Sequence, residues 1–174
     1  VDSEPSAIWQ CLRGENKDIS KLIITASGGP FRNIPISSLS SVTPTDALKH
    51  PTWEMGTKIS VDSATMMNKA FEVIEAKWLF DVPWENIEVI VHPESIVHSM
   101  VEFSDGSTKA QLSYPDMRVP IQHALFFPER APTSPVESFD PQKTNSLNFE
   151  PLDKNRFPCF DMAIKFATKG GTWP

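Results

Sequence analysis

Asp2 and Glu4 stand two apart at the head of the chain, and Asn68, Lys69, Glu72 and Glu75 recur at helical spacing further on. In an extended segment, residues two apart point the same way, so Asp2 and Glu4 offer two carboxylates to one ion. Carboxylate oxygens suit Mg2+ or Mn2+, with positions left for water and substrate oxygens. A third carboxylate from elsewhere would complete the protein's share. The plainer reading makes both acids helix-start residues, an N-cap and a first-turn charge. On a helix advancing about 100° per residue, Thr65, Asn68, Lys69, Glu72, Glu75 and Ala76 fall within roughly 120° of arc. Met66, Met67, Ala70, Phe71, Val73, Ile74 and Trp78 cover the remainder, so this helix is expected to be well buried, with its polar stripe along a small opening. Ser63 is expected in its first turn, where free N–H groups and the helix dipole attract anions. Hydroxyls at Ser60, Ser63 and Thr65, then Asn68 and Lys69 one turn later, suit a phosphate. The bland alternative is a solvated face whose Lys69–Glu72 pair contributes about 0.2–0.5 kcal/mol.

Two loops could serve that stripe. Ser27-Gly28-Gly29-Pro30 follows a β-branched run and can bring backbone N–H groups and a hydroxyl close to an anion. It matches neither a P-loop nor G-x-G-x-x-G, so no nucleotide is implied, and taken alone it is an ordinary turn. The segment 50–56, H-P-T-W-E-M-G, sets Trp53 and Met55 in a polar loop. An aromatic loop of this kind often closes over a site; the alternative is a Trp53 packed into the core.

The elements that must position these residues follow from local pattern. Ser3 or Asp2 can cap a helix, with Pro5 in its first turn and 7–12 as its body. A strand is expected at 21–26, a capped helix start at 43–46, a long helix at 62–80 and a strand at 87–91. Segments 95–103 and 108–113 form a hairpin, with Asp105-Gly106 as its tight turn. A helix follows at 120–127. The proline-rich stretch 128–157 reads as a linker or wrapping arm, and a last helix at 158–168 is ended by Gly170. The class is α/β (α+β): a mixed sheet with helices packed on one face, plus the arm. Three parts are expected: a metal- and substrate-binding domain at 1–127, the arm at 128–157, and the start of a helical domain at 158–174.

Composition narrows the function classes. The chain has 174 residues, 40% of them hydrophobic, and a formal net charge of −6. No basic stripe is visible, so no nucleic-acid partner is expected, and no run of roughly 18 apolar residues suggests a membrane span. The acidic balance fits a cation site. Cys11 and Cys159 are the only cysteines, too few for a disulfide framework or zinc site and consistent with two thiols in a reducing compartment. The chain opens on Val1 and closes just past a helix, and neither end reads as a natural boundary.

The motifs are more specific together than apart. V-D-S-E at 1–4, A-S-G-G-P-F at 26–31, H-P-T-W-E-M-G at 50–56, K-I-S-V-D-S-A-T-M-M-N-K at 58–69 and H-P-E-S-I-V-H-S at 92–99 occur in order. This resembles the 1-deoxy-D-xylulose 5-phosphate reductoisomerase family over nearly the entire chain. The resemblance implies a catalytic domain, linker and first helix beyond, without the family's NADPH-binding domain, and a homodimer formed largely through the catalytic-domain sheet. It implies Asp2, Glu4 and Glu72 as ligands of Mg2+ or Mn2+, and Asp2, Glu4, Glu72 and Lys69 as the catalytic set. Ser3 would contact the hydroxyl-ketone end of 1-deoxy-D-xylulose 5-phosphate. Ser27, Ser63, Asn68 and Lys69 would bind its phosphate and backbone, with His50, Trp53 and Met55 on a closing lid and Glu75 and His98 in support. The implied reaction is a metal-assisted rearrangement, by retro-aldol cleavage and re-addition, followed by NADPH-dependent reduction to 2-C-methyl-D-erythritol 4-phosphate. Cytoplasmic placement is expected ahead of a plastid-type organelle. Pro5 departs from the family, which usually reads V-D-S-E-H, and puts metal affinity and pH dependence in question. A metal-dependent sugar-phosphate isomerase needing no nicotinamide, and a non-catalytic dimerising module, are the competing readings.

Overall fold

The computed structural model describes residues 1–15 and 18–172. Its centre is a five-stranded mixed sheet in the order β4-β3-β1-β2-β5. β1 (Ile19–Ala26) runs parallel to β2 (Ile87–Val91) and antiparallel to β3 (Val97–Phe103). β3 pairs antiparallel with β4 (Thr108–Leu112), and the two-residue β5 (Glu150–Pro151) pairs antiparallel with β2. The hairpin turn is where the sequence puts it: Gly106 has φ +86° and donates its N–H to the Phe103 carbonyl at 2.9 Å, a left-handed position that glycine takes without a Cβ penalty.

Helices cover one sheet face, as expected. α1 (Ser3–Leu12) packs on β3 and β4, and α4 (Met67–Phe80) lies over β1 and β2 with α6 (Pro158–Ala167) against it. Alternate residues Leu22 and Ile24 of β1, with Val101 and Phe103 of β3, meet Ile8 and Cys11 of α1 and Ala70, Val73 and Ala76 of α4 in one core. A side chain the size of Leu or Ile moved from water into such a core contributes about 1.5–3 kcal/mol, and Ile8, Leu22 and Ile24 are all fully buried.

The long helix expected at 62–80 is instead two. α3 (Thr57–Ala64) starts five residues earlier than the pattern suggests, and Met66 breaks the run with φ 59° before α4 begins. The Thr65 hydroxyl folds back onto the carbonyls of Val61 at 3.0 Å and Asp62 at 3.2 Å, the second of which a continuing helix would have given to the Met66 N–H, here bonded to the Ser63 carbonyl at 3.2 Å. The left-handed turn seats the Met66 side chain, 2% exposed, in the core. Ser63 therefore lies in the last turn of α3 and not in the first turn of a longer helix. The apolar arc is also less buried than its composition implies: Phe71 is 43% and Trp78 74% exposed.

Other elements match closely. α2 (Pro44–Ala47) carries the capping box, with the Asp46 N–H donating to Thr43 Oγ1 and the Thr43 N–H to Asp46 Oδ2. α5 spans Arg118–Phe126. The 128–157 stretch is an arm, irregular except for β5 and a 3-10 turn at Lys154–Arg156. It is anchored at its far end by Arg156, whose guanidinium donates to the carbonyls of Phe31 and Ile34.

Candidate active site

Three elements meet above the C-terminal end of β1: the start of α1, the start of α4, and the loops after β1 and β2. Asp2 is the N-cap of α1, and its carboxylate accepts from the Glu4 N–H at 3.3 Å. An N-cap side chain ordinarily serves the second or third helical N–H; here the third residue is Pro5, which has none, so Glu4 is the partner left. Asp2 and Glu4 thus converge through a helix start and not through an extended strand, which corrects the geometry expected from their spacing while keeping the convergence. Glu72, one turn into α4 and 1% exposed, supplies the third carboxylate. One oxygen from each of Asp2, Glu4 and Glu72 lies within 4.8 Å of the others.

Lys69 sits among them. Its Nζ is 2.8 Å from Glu4 Oε1 and 2.8 Å from Glu72 Oε2. The Asn68 amide donates to Glu72 Oε1 at 2.6 Å and Ser3 Oγ to Glu4 Oε2 at 2.6 Å. One ammonium cannot balance three carboxylates. Burial pushes Asp2 up to about 7, helped by the charge of Glu4. Burial likewise drives Glu72 well above the ordinary carboxylate range, with Glu4 adding to the effect. Burial also acts on Glu4, but the Lys69 ammonium and its hydrogen bond outweigh it and hold Glu4 below its usual value. Lys69, which burial alone would depress, is raised by Glu4 and Glu72. Glu4–Lys69 is therefore the ionised pair, and Asp2 and Glu72 are the strained acids.

Such an arrangement fits a small divalent cation. Glu72 Oε2 is buried and, although close to Lys69, accepts no well-directed hydrogen bond. Lys69 is the cation now beside that oxygen, and a divalent ion would offer three closely set carboxylates twice its charge.

A cavity of about 360 Å3 opens beside the carboxylates, lined among others by Ser3, Ser27, Ser63, Asn68 and Lys69. Gly29 allows this: with φ +66° it lets the glycine loop approach α3 so closely that a Cβ would stand 2.6 Å from the Ser63 carbonyl oxygen. The loop 50–56 roofs the cavity with His50, Trp53 and Met55. His50 Nδ1 accepts from the N–H groups of Thr52 at 3.1 Å and Trp53 at 2.8 Å, so the proton is on Nε2, which lies 2.9 Å from Ser27 Oγ and donates to it. Burial, with the charges of Arg32 and Lys69, lowers His50 to about 4 and keeps it neutral. Trp53 is half-buried and meets His98 edge-on at 6.5 Å, so it covers the cavity and is not sunk in the core. His98 is buried and bonded to Ser113 Oγ at 2.9 Å, a supporting position. Glu75 is exposed and outside the lining, but its charge still reaches Asp2 and Glu4.

Ser95, Thr25 and Met117 also line the cavity, and none was singled out from sequence. Ser95 has φ 52° and a buried Oγ without a partner. The sequence reads Ser95 as the first residue of the strand at 95–103, whereas β3 begins at Val97 and Ser95 stands left-handed before it. Thr25 is turned away from ligand duty, its hydroxyl donating to the Val97 carbonyl at 2.6 Å.

Comparison with known proteins agrees with this geometry. The family model described as 1-deoxy-D-xylulose 5-phosphate reductoisomerase C-terminal domain matches residues 1–80, and that described as DXP reductoisomerase C-terminal domain matches residues 112–174. The 1-deoxy-D-xylulose 5-phosphate reductoisomerase of Heliobacterium modesticaldum is 55% identical over 174 residues, covering 100% of this chain and 44% of the relative. That of Bacillus subtilis is 57% identical over 175 residues, covering 100% and 46%. The solved reductoisomerase of Zymomonas mobilis in complex with NADPH superposes with a TM-score of 0.90 at 48% identity, covering 99% of this chain and 44% of that one. A DOX-P reductoisomerase in complex with NADPH, fosmidomycin and magnesium superposes with a TM-score of 0.89 at 45% identity, covering 97% and 44%. The chain spans a little under half the length of these relatives, and it belongs to the 1-deoxy-D-xylulose 5-phosphate reductoisomerase family.

Proposed function

We propose that this chain is the catalytic part of an enzyme that converts 1-deoxy-D-xylulose 5-phosphate to 2-C-methyl-D-erythritol 4-phosphate in isoprenoid biosynthesis, by metal-assisted rearrangement and NADPH-dependent reduction. The observation that carries this reading is the convergence of Asp2, Glu4 and Glu72 within 4.8 Å, beside a cavity that also presents Ser27, Ser63, Asn68 and Lys69. Asp2, Glu4 and Glu72 would hold Mg2+ or Mn2+, which supplies Lewis acidity toward adjacent substrate oxygens. Ser3 is placed to meet the hydroxyl-ketone end. Ser27, Ser63, Asn68 and Lys69 grip the phosphate, whose binding energy orients the reacting end and draws the 50–56 loop shut. Trp53 and Met55 exclude water from above. NADPH would be held mainly by residues outside these 174, consistent with the lack of a glycine-rich dinucleotide fingerprint.

The test is a titration with Mn2+ followed by its EPR signal, then addition of 1-deoxy-D-xylulose 5-phosphate. The expected result is one bound ion whose spectrum changes with substrate, and no substrate-driven oxidation of NADPH by this chain alone. An unaltered spectrum removes the reading. The pH dependence is a second check. Because the Asp2 carboxyl is raised to about 7 by burial, a proton must leave it before it can serve as a ligand. Mn2+ affinity is then expected to fall at least about tenfold per pH unit below about 7, with protons released as the metal binds. Affinity flat from pH 5 to 8 would take Asp2 out of the coordination set.

The uncovered sheet face supports a homodimer. Ile23, Met100 and Ala110 stand in register across β1, β3 and β4, none of them buried, which suits the same face of a second copy. Cys11 and Cys159 are free thiols, and on that ground we place the protein in a reducing compartment, the cytoplasm.

A further inference from the structure

Both donors that the phosphate requires are engaged elsewhere in this structure. The Lys69 ammonium, with its side chain 8% exposed, bridges Glu4 and Glu72 at 2.8 Å each, and the Asn68 amide is bonded to Glu72 at 2.6 Å. The hydroxyls of Ser27 and Ser63 line the same cavity, whose acids among the described residues are Asp2, Glu4, Glu72 and Glu54 of the roof loop. The oxygens of Glu4 and Glu72 all have neighbours already, Lys69 at Glu4 Oε1 and Glu72 Oε2, Ser3 at Glu4 Oε2 and Asn68 at Glu72 Oε1, so a divalent ion held by both carboxylates at about 2.0–2.1 Å displaces donors, and a second positive charge cannot remain beside it at low cost. Lysine has a flexible four-carbon stem and a compact charge, so it can swing where a shorter side chain could not.

We propose that Lys69 is a resident counter-ion of the carboxylate triad, which a divalent cation displaces, and that its release with Asn68 hands both donors to the phosphate end, so that metal and phosphate bind cooperatively. This rests on the metal-site reading above. Metal entry thus does two things at once: it replaces one internal cation with another of higher charge, and it converts a closed polar cluster into an anion site. The coupling is reciprocal, so phosphate pulls Lys69 away from Glu4 and Glu72 and tightens the metal by the same factor.

The experiment titrates the chain with Mn2+ in the presence and absence of inorganic phosphate, for wild type and Lys69→Met. In wild type, phosphate is expected to tighten Mn2+ about tenfold, within the usual range for coupled sites. In Lys69→Met, Mn2+ alone binds tighter than in wild type, because its competitor is gone, and phosphate no longer changes its affinity. Equal phosphate coupling in both proteins, or no coupling in wild type, overturns the switch while leaving the metal site intact. No Mn2+ uptake by either protein removes the metal site and the switch together. A measurement needing no variant covers a Lys69→Met chain that fails to fold. The 15N-labelled Lys69 ammonium, protected by its two carboxylates, should give an NMR signal that disappears on adding Mg2+ and returns with a chelator. A signal unmoved at saturating Mg2+ overturns the proposal.

Discussion

Glu72→Gln is expected to weaken Mn2+ binding by at least about 100-fold while leaving the metal-free fold as stable as wild type, or more so. Loss of a residue that merely orients a metal ligand typically costs 10–100-fold in affinity, and Glu72 is placed as a ligand itself, 1% exposed and within 4.8 Å of Asp2 and Glu4. The stability half follows from linkage. The Glu72 carboxyl is raised, by burial first and then by the charge of Glu4. A raised acid contributes stability at low pH that is lost as the pH climbs through its folded value. Above the ordinary carboxylate range Glu72 is therefore a burden on the metal-free chain, and a neutral amide of the same shape relieves it. Thermal unfolding in a chelator and Mn2+ titration, run on the same samples, separate the two effects. Near-normal Mn2+ uptake by Glu72→Gln would take this residue out of the metal site. Any longer protein containing this chain should lose turnover with the same substitution.

Gly29→Ala is expected to destabilise the chain by about 2–4 kcal/mol, the sum of a left-handed backbone cost near 1–2 kcal/mol and a steric clash of similar size. Gly29 has φ +66°, and its new Cβ would lie 2.6 Å from the Ser63 carbonyl oxygen, a backbone atom that cannot rotate away. Gly14 makes the control, having φ +77° but, among the described residues, nothing within 4 Å of where its Cβ would stand. Gly14→Ala should cost only the backbone share, about 1–2 kcal/mol. Urea denaturation of both variants gives the comparison directly. Equal losses would mean that the glycine loop does not depend on close approach to α3.

The site was largely legible once its motifs were taken together. By pattern alone the two acids also read as helix-start charges and the Asn-Lys-x-x-Glu stripe as a solvated face, and it was the family resemblance that joined them, while the helical arithmetic brought Asn68, Lys69 and Glu72 onto one stripe. What the arithmetic could not see was Met66, where the chain turns left-handed and moves Ser63 from a helix start to a helix end. Methionine favours helix, so the break comes from tertiary packing and from Thr65 bonding backward, neither of which leaves a mark in local propensity. Glu75 matched the stripe by angle and, one turn beyond Glu72, lies outside the cavity lining while its charge reaches Asp2 and Glu4. The apolar positions Phe71 and Trp78 read as buried yet are exposed, since hydrophobicity records what a side chain tolerates and not what stands opposite it. Ser95 was quoted within a motif and still missed, because a lone left-handed serine has no periodicity to betray its direction.

The far edge of the sheet is closed by only two residues, Glu150 and Pro151, laid against Val91 and Ile90. A parallel inner strand such as β2, rich in Ile and Val, would otherwise present an unpaired row of N–H and C=O groups to any passing chain. Proline cannot donate to a ladder, so the strand that covers this edge is itself a poor template for the next. Arm sequence that looks like mere connection thus works as a guard against strand-to-strand association. Cutting the arm would be felt first as turbidity at high concentration, before any change in metal affinity.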